Sequence, residues 1–268
     1  MTFKELRGIL KDNGIEDADF EAGMLFSKYA GVSVAQLPFN PSCESEELKA
    51  ALKRRIGKEP LQYILGECEF YNEKYFLSRE CLIPRADTEI IVEYAIKNLP
   101  KGAMFADLCT GSGCIAISIL ANRKDCRAVA CDISDGALEM AKKNAIHNGV
   151  ADRIEFFSCN VLQEKTDGQF DAVISNPPYI RSEVIPTLSP EVQKEPLRAL
   201  DGGDDGMIFY RRIVKDYKDS LKENGFLLFE TGYDQKEEIV KLADENSLLC
   251  ECLCDYGKNH RGAVMRRN

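Results

Sequence analysis

Tryptophan is absent from this chain, and histidine occurs only twice, at His147 and His260, which leaves a metal site short of ligands. No apolar run approaches the length of a membrane span. Nothing resembles a signal peptide, since Thr2 to Leu10 is amphipathic and charged. Internal repeats and low-complexity segments are missing as well. Positive charge is in deficit: the formal net charge of −9 argues against a broad phosphate-binding surface and so against a duplex-DNA substrate. Lys53, Arg54, Arg55 and Lys58 form a small basic cluster, but a solvated helix face explains it better than a binding site. The 11 cysteines are odd in number and scattered through core-like strands, which suggests reduced thiols in a cytoplasmic protein rather than a disulfide scaffold. Cys250, Cys252 and Cys254 share one strand face, where structural thiols are the simpler reading than a metal site.

What is present divides along the chain of 268 residues, enough for one large domain and a small one. Phe3 to Asn13, Asp19 to Gly31 and Ser45 to Gly57 carry helical spacing, with Asp17 or Asp19 and Ser45 as N-caps. Leu61 to Leu82 is rich in aromatic and β-forming residues around Asn72-Glu73-Lys74, the pattern of a β-hairpin. From Asp87 to Cys254, helix and strand signals alternate. The expectation is an α/β fold: a doubly wound, mostly parallel, seven-stranded Rossmann-like sheet. The boundaries expected are a helical domain at 1–58, a hairpin linker at 59–84 and the sheet domain at 85–268.

Asn176-Pro177-Pro178-Tyr179 directly follows Phe170–Ser175, a short apolar segment that reads as a buried strand. Two prolines in succession forbid continuation as strand or helix, so the segment ends in a stiff corner. In an open α/β sheet the carboxyl ends of strands are where ligands bind. A planar nitrogen is a poor nucleophile because its lone pair is delocalised. A site that accepts hydrogen bonds from both of its N–H groups favours a more tetrahedral nitrogen aimed at an electrophile. The Asn176 side-chain carbonyl and the Pro177 backbone carbonyl are candidate acceptors, and Tyr179 can stack on a flat group. An Asn-Pro pair alone would be an ordinary turn; all four residues after a strand form a more particular pattern.

Upstream, Ala103–Leu108 reads as a strand, followed by Cys109-Thr110-Gly111-Ser112-Gly113 and an apolar helix from Cys114 to about Ala121. This unit lets backbone approach a nucleotide cofactor closely. Some twenty residues on, Asp132 ends a second strand where an acid can accept ribose hydroxyls. Gly111, Gly113 and Ala116 also satisfy the glycine pattern of nicotinamide enzymes, so hydride transfer competes at this point. Asp107 favours the other reading: an acid ending the strand suits a cationic, amino-acid-bearing cofactor such as S-adenosylmethionine and would repel a pyrophosphate. The proline corner, moreover, has no part in hydride transfer.

At these residues the chain resembles class I S-adenosylmethionine-dependent methyltransferases of the (Asp/Asn/Ser)-Pro-Pro-(Tyr/Phe/Trp) type, and within them the release factor glutamine methyltransferases. The resemblance spans Pro60–Gly66, Ile83–Glu89, the glycine turn, Ser175–Ile180, Glu195-Pro196 with Ala199-Leu200, and Gly202–Gly206. It implies that Cys109 to Gly113 hold the methionine portion of the cofactor, Asp132 the ribose, and Asn160 with Val161 the adenine. Asn176 to Tyr179 would hold the substrate glutamine, with Asn176 also bordering the cofactor. Two positions depart from the family pattern: Cys109 stands where a glycine is usual, and Asn160 where an acid is usual.

The resulting expectation is a cytoplasmic, monomeric protein-glutamine N5-methyltransferase without metal. Its substrate would be the glutamine of the Gly-Gly-Gln tripeptide in peptide chain release factors, docked by the helical domain, with no membrane or direct nucleic-acid partner. Alternatives are glutamine methylation of a ribosomal protein, adenine-N6 methylation of nucleic acid, and a cofactor-binding scaffold without turnover. Three further groups have two readings each. Asp204-Asp205-Gly206 is an N-cap or a border of the substrate path, Arg85 and Glu89 an exposed ion pair or part of the site mouth, and Glu230 a strand end or a functional acid.

Overall fold

The computed structural model describes residues 1–255 and 257–267. The chain forms two compact units. The first comprises Met1–Glu67 together with Ser189–Lys194. Its helices are α1 (Phe3–Asp12), α2 (Ala18–Ala30), α3 (Glu46–Ile56) and α4 (Leu61–Leu65). Thr2 and Glu5 form a reciprocal capping box at the start of α1, and Ser45 caps α3 through the Leu48 N–H. Apolar residues at helical spacing, among them Leu6, Leu10, Leu25, Phe26, Leu48 and Leu52, converge on one core.

The second unit comprises Cys68–Leu188 and Glu195–Asn268. A hairpin of β1 (Glu67–Phe70) and β2 (Glu73–Phe76) comes first in the chain. It is shorter than the sequence suggests, because residues 61–65 are helical and the turn falls one residue earlier, at Tyr71-Asn72. Both turn residues have positive φ (49° and 71°), the geometry that matches the twist of paired strands.

The main sheet has the order β5-β4-β3-β6-β7-β9-β8. Its strands are β3 (Met104–Leu108), β4 (Arg127–Asp132), β5 (Ile154–Ser158), β6 (Phe170–Ser175), β7 (Leu221–Glu230), β8 (Leu248–Cys254) and β9 (His260–Arg267). The first five in chain order pair in parallel, and β9 runs antiparallel to both neighbours. Sequence patterning did not locate β9, whose buried apolar run is only Ala263–Met265 between charged flanks. Pairing on both edges holds it, a tertiary effect that single-strand propensity does not carry. The helices are α5 (Glu89–Asn98), α6 (Cys114–Asn122), α7 (Asp135–His147), α8 (Ile208–Tyr217) and α9 (Lys236–Glu245). Every residue of α6 from Cys114 to Leu120 is buried, as expected of a helix that is apolar all round.

From β3 the chain moves outward through β4 to β5, then returns to the other side as β6 and β7. The reversal falls between β3 and β6, whose ends align at Leu108 and Ser175. A crevice at that switch point is the usual ligand site of an open α/β sheet.

Among the described residues, no helix is long and apolar enough to cross a membrane, and no group of three or more His, Cys, Asp or Glu could hold a metal. All 11 cysteines are free thiols.

Candidate active site

A cavity of about 790 Å³ opens at this switch point, walled by the segments that leave β3, β4, β5 and β6. Its size suits a nucleotide-sized ligand. Cys109, Thr110, Gly111 and Ser112 come from the first, Asp132 and Ile133 from the second, Asn160 and Val161 from the third, Asn176 and Pro178 from the fourth.

The glycine turn is fixed from both sides. The Thr110 N–H donates to the Cys131 carbonyl (2.9 Å) and the Gly113 N–H to the Thr110 carbonyl (2.8 Å). Asp132 accepts the Gly111 N–H on Oδ2 and the Ser134 N–H on Oδ1, both at 2.9 Å. Burial raises its carboxyl above the usual range, while these backbone donors and the Arg198 charge pull the other way. Gly111 has φ +56°, and a Cβ there would project into open space at the cavity wall. The turn thus presents bare backbone where a ligand must come close. Ser112 Oγ is buried, lines the cavity and has no hydrogen-bond partner among the described residues. An orphaned hydroxyl beside a paired carboxylate and exposed backbone fits a nucleoside that carries an amino acid.

Cys109 lies at φ +60°, the left-handed region that favours glycine. Asp107 behaves differently from the sequence reading, for it does not line the cavity. It is fully buried, accepts the Thr110 hydroxyl (2.6 Å) and the Ala116 N–H (3.2 Å) on Oδ2, and leaves Oδ1 without a partner. Burial pushes its carboxyl up to about 7 against those two bonds. Its visible work is to tie the glycine turn to the first turn of α6. Asn160 also serves its own loop, accepting the Leu162 N–H at 3.1 Å on the oxygen expected to face an adenine amine.

At the proline corner, Asn176 and Pro178 face the cavity, whereas Pro177 and Tyr179 do not line it. Asn176 Nδ2 donates to Thr88 Oγ1 at 3.3 Å, and the Tyr179 phenol donates to Glu230 Oε1 at 3.3 Å. The Gly202–Gly206 loop braces the corner from behind. Ile180 exchanges backbone hydrogen bonds with Leu200 (3.0 Å) and Gly202 (2.8 Å), and Gln235 Nε2 donates to the Tyr179 carbonyl (3.0 Å). A Cβ at Gly206 would stand 2.4 Å from that carbonyl, so only glycine fits. Asp205 accepts the Met207 N–H (3.0 Å) and pairs with Arg211, which makes it a helix-end residue. Arg85 lines the cavity and is held by the buried carboxylate of Glu195, which also accepts the Ile83 N–H at 3.0 Å. Glu89 instead accepts the Tyr71 N–H at 3.3 Å and is absent from the wall.

Thr88, Glu195, Arg198 and Gln235 are participants that sequence reasoning did not single out. Thr88 and Glu195 sit inside the segments that carry the family resemblance, which was the available signal.

Two family models match: a methyltransferase small domain over residues 86–229 and a PrmC N-terminal domain over residues 2–66. The release factor glutamine methyltransferase of Agrobacterium fabrum is 37% identical over 271 residues, covering 96% of this chain and 93% of its own. The chain belongs to the release factor glutamine methyltransferase family. The member from Geobacter sulfurreducens is 37% identical over 260 residues, with 94% and 90% covered. Among solved structures, the hMettl16 catalytic domain has a TM-score of 0.57 at 16% identity, covering 83% of this chain and 82% of that one. The ribosomal protein L11 methylase of Lactobacillus delbrueckii subsp. bulgaricus reaches 0.52 at 23% identity, with 72% and 84% covered. These two show the shared fold. The methyltransferase domain implies S-adenosylmethionine as methyl donor and sets hydride transfer aside.

Proposed function

We propose that this protein methylates the side-chain amide nitrogen of the glutamine in the Gly-Gly-Gln tripeptide of peptide chain release factors. Membership of the family supports the substrate. The observation that carries the chemistry is the Asn176 amide, set in the wall of the same cavity as the glycine turn and Asp132. S-adenosylmethionine supplies an electrophilic methyl on a sulfonium that leaves as a neutral thioether.

Cys109 to Gly113 would hold its amino-acid portion, with the Ser112 hydroxyl free to bond and Gly111 admitting close approach. Asp132 would accept the ribose hydroxyls on lone pairs left by Gly111 and Ser134. Val161 and Asn160 would border the adenine, Asn160 with its oxygen already engaged by Leu162. Asn176 Oδ1 accepts one substrate N–H and turns the nitrogen lone pair toward the methyl. A methylated amide nitrogen would be acidic and would release its proton to solvent, so no strong base would be needed beforehand. Pro177 and Pro178 keep the corner from yielding, and Tyr179 locks it to Glu230.

The helical unit would dock the release factor. Phe20 and Phe39 are large apolar side chains left exposed there. Replacing both with alanine should lower kcat/KM on intact release factor while leaving methylation of a short Gly-Gly-Gln peptide unchanged. A monomeric state, a cytoplasmic location and the lack of direct nucleic-acid binding belong to the same reading.

The deciding experiment is incubation with labelled S-adenosylmethionine and release factors, ribosomal proteins, DNA or RNA, followed by mapping of the label. Label on a release factor glutamine supports the reading. Label on a ribosomal protein glutamine or an adenine replaces it.

A further inference from the structure

The Glu230 carboxylate ends β7 beside the proline corner and is 1% exposed. Its Oε1 accepts the Tyr179 phenol, and its Oε2 has no hydrogen-bond partner among the described residues. The Thr88 hydroxyl faces this carboxyl, and the same Thr88 oxygen accepts the Asn176 Nδ2–H. Thr88, itself 1% exposed, thus stands between a buried acid and the amide at the cavity wall.

A hydroxyl has one proton to give. When that proton points to an ionised Glu230, the Thr88 lone pairs face Asn176. The amide must then offer its NH2 to Thr88, which turns Oδ1 away. When Glu230 is protonated, its own O–H can point to Thr88, and the Thr88 proton is released toward Asn176. The amide is now satisfied only after a half-turn that carries NH2 to the place the acceptor held. An amide's two ends are nearly equal in shape, so the hydrogen-bond partners decide which way it lies.

We propose that Glu230 is a positioning residue that acts through the Thr88 hydroxyl to set which end of the Asn176 amide faces the substrate nitrogen. The inference rests on Asn176 being the acceptor described above. With Glu230 ionised the site holds an acceptor and works; with Glu230 protonated it holds a donor that competes with the substrate N–H.

The groups around Glu230 set where the change occurs. Asp87 and Thr88 face it from the segment before α5, Tyr179 from the corner, Arg261 from β9, Cys114 from α6, and Tyr210 of α8 donates to its backbone carbonyl. Arg261 is paired with Asp87 at 3.2 Å, which divides its charge. Burial pushes the carboxyl up to about 7; Asp87 adds to this, while Thr88, Tyr179 and Arg261 oppose it. Methylation should therefore fall as pH drops through neutrality.

The test is single-turnover methylation of a release factor by the full-length enzyme at saturating cofactor from pH 5.5 to 9. It compares the wild type with Thr88→Val, Thr88→Ser, Glu230→Gln and Asn176→Ala. S-adenosylhomocysteine affinity is measured in parallel by calorimetry. The wild type should show an acid limb with its midpoint near 7. Thr88→Val removes the hydroxyl at nearly constant shape, and should lose roughly ten- to a hundredfold in rate at pH 8, with the limb gone and cofactor-product affinity unchanged. Thr88→Ser should restore both rate and limb. Glu230→Gln, which cannot ionise, should give a flat profile. Wild-type rates and an intact acid limb in Thr88→Val and Glu230→Gln, beside a slow Asn176→Ala, would overturn the relay alone. A wild-type rate in Asn176→Ala would overturn the acceptor reading on which it rests.

Discussion

The two units of this protein treat buried charge in opposite ways. In the helical unit Arg55 is almost wholly buried, and Nη2 reaches Glu21 at 2.9 Å and Glu191 at 2.8 Å. Its neighbour Arg54 grips the buried Glu59 with two bonds, at 2.9 and 2.7 Å. At the carboxyl edge of the sheet, Asp107 and Glu230 are buried at least as deeply, yet each keeps one oxygen without a partner among the described residues. Burial lifts both carboxyls to about 7. A charge that serves only to hold helices together is neutralised where it stands. A carboxyl kept half-satisfied makes the folded state less stable, and such groups are found most often at functional sites.

Breaking the satisfied side should have the largest effect. Arg55→Leu leaves Glu21 buried with no cation, at a cost of about 3–5 kcal/mol to the helical unit, read by urea denaturation. Affinity for S-adenosylhomocysteine should be unchanged, since the residues proposed to hold the cofactor all belong to the other unit. A loss below about 1 kcal/mol would mean that Arg55 is not the buried support this contrast requires.

The unsatisfied side should respond to pH with the sign reversed from an ordinary ion-paired acid. The Glu230 carboxyl is raised from 4.5 to about 7 in the folded protein. Between those values the folded state holds a proton that the unfolded chain has lost, so its contribution to stability falls as pH rises, by about 3 kcal/mol in all. Glu230→Gln escapes this fall. Its melting temperature relative to wild type should be higher at pH 8.5 than at pH 5.5, and an equal difference at both would remove the contrast between the units.

A smaller effect tests the acid in the site whose two oxygens both accept hydrogen bonds. Asp132→Ala removes the proposed acceptor for ribose and the anchor of the Gly111 and Ser134 N–H groups. Affinity for S-adenosylhomocysteine should fall by about 2–3 kcal/mol, roughly thirty- to a hundredfold by titration calorimetry. The wild type should give no heat with NADH.

Much of this was legible from sequence because the sheet strands and the glycine turn use short-range signals. Ala103–Leu108 and Phe170–Ser175 were legible as strands from local patterning, and they match β3 and β6 to within one residue. Strand β9 was not, because Ala263–Met265 becomes a strand only through neighbours on both sides. The cavity wall shows the same division. Thr110, Gly111, Ser112, Asp132 and Asn176 stand where the strand ends put them. Asp107 does not reach the wall: the same spacing fits a carboxylate aimed at a ligand and one aimed at the Ala116 N–H, and rotamer and packing decide between them. Thr88 lies 88 residues from Asn176, a contact that no local pattern contains. Sequence alone left Glu230 as a strand end or a functional acid, because the groups that meet it, from Tyr179, Tyr210 and Arg261, come from across the fold.

The smallest expected effect concerns backbone strain in the glycine turn. Cys109 sits at φ +60° and Gly111 at φ +56°, so one turn contains the same conformation with and without a side chain. A non-glycine residue in that region carries a strain of about 1–2 kcal/mol. Cys109→Gly relieves it but also removes a thiol that packs against the core under the sheet. Cys109→Ala removes the thiol and keeps the strain. The difference in stability between the glycine and alanine variants therefore isolates the backbone contribution, and should favour glycine by about 1 kcal/mol in urea denaturation. Gly111→Ala is the converse. Its methyl meets nothing within 4 Å, so any loss of stability, about 1 kcal/mol, is conformational. Because that methyl projects from the cavity wall, S-adenosylhomocysteine affinity should fall as well. An alanine variant at 109 as stable as the glycine variant would show that the turn holds the left-handed conformation without strain, and that Cys109 departs from the family pattern at no energetic cost.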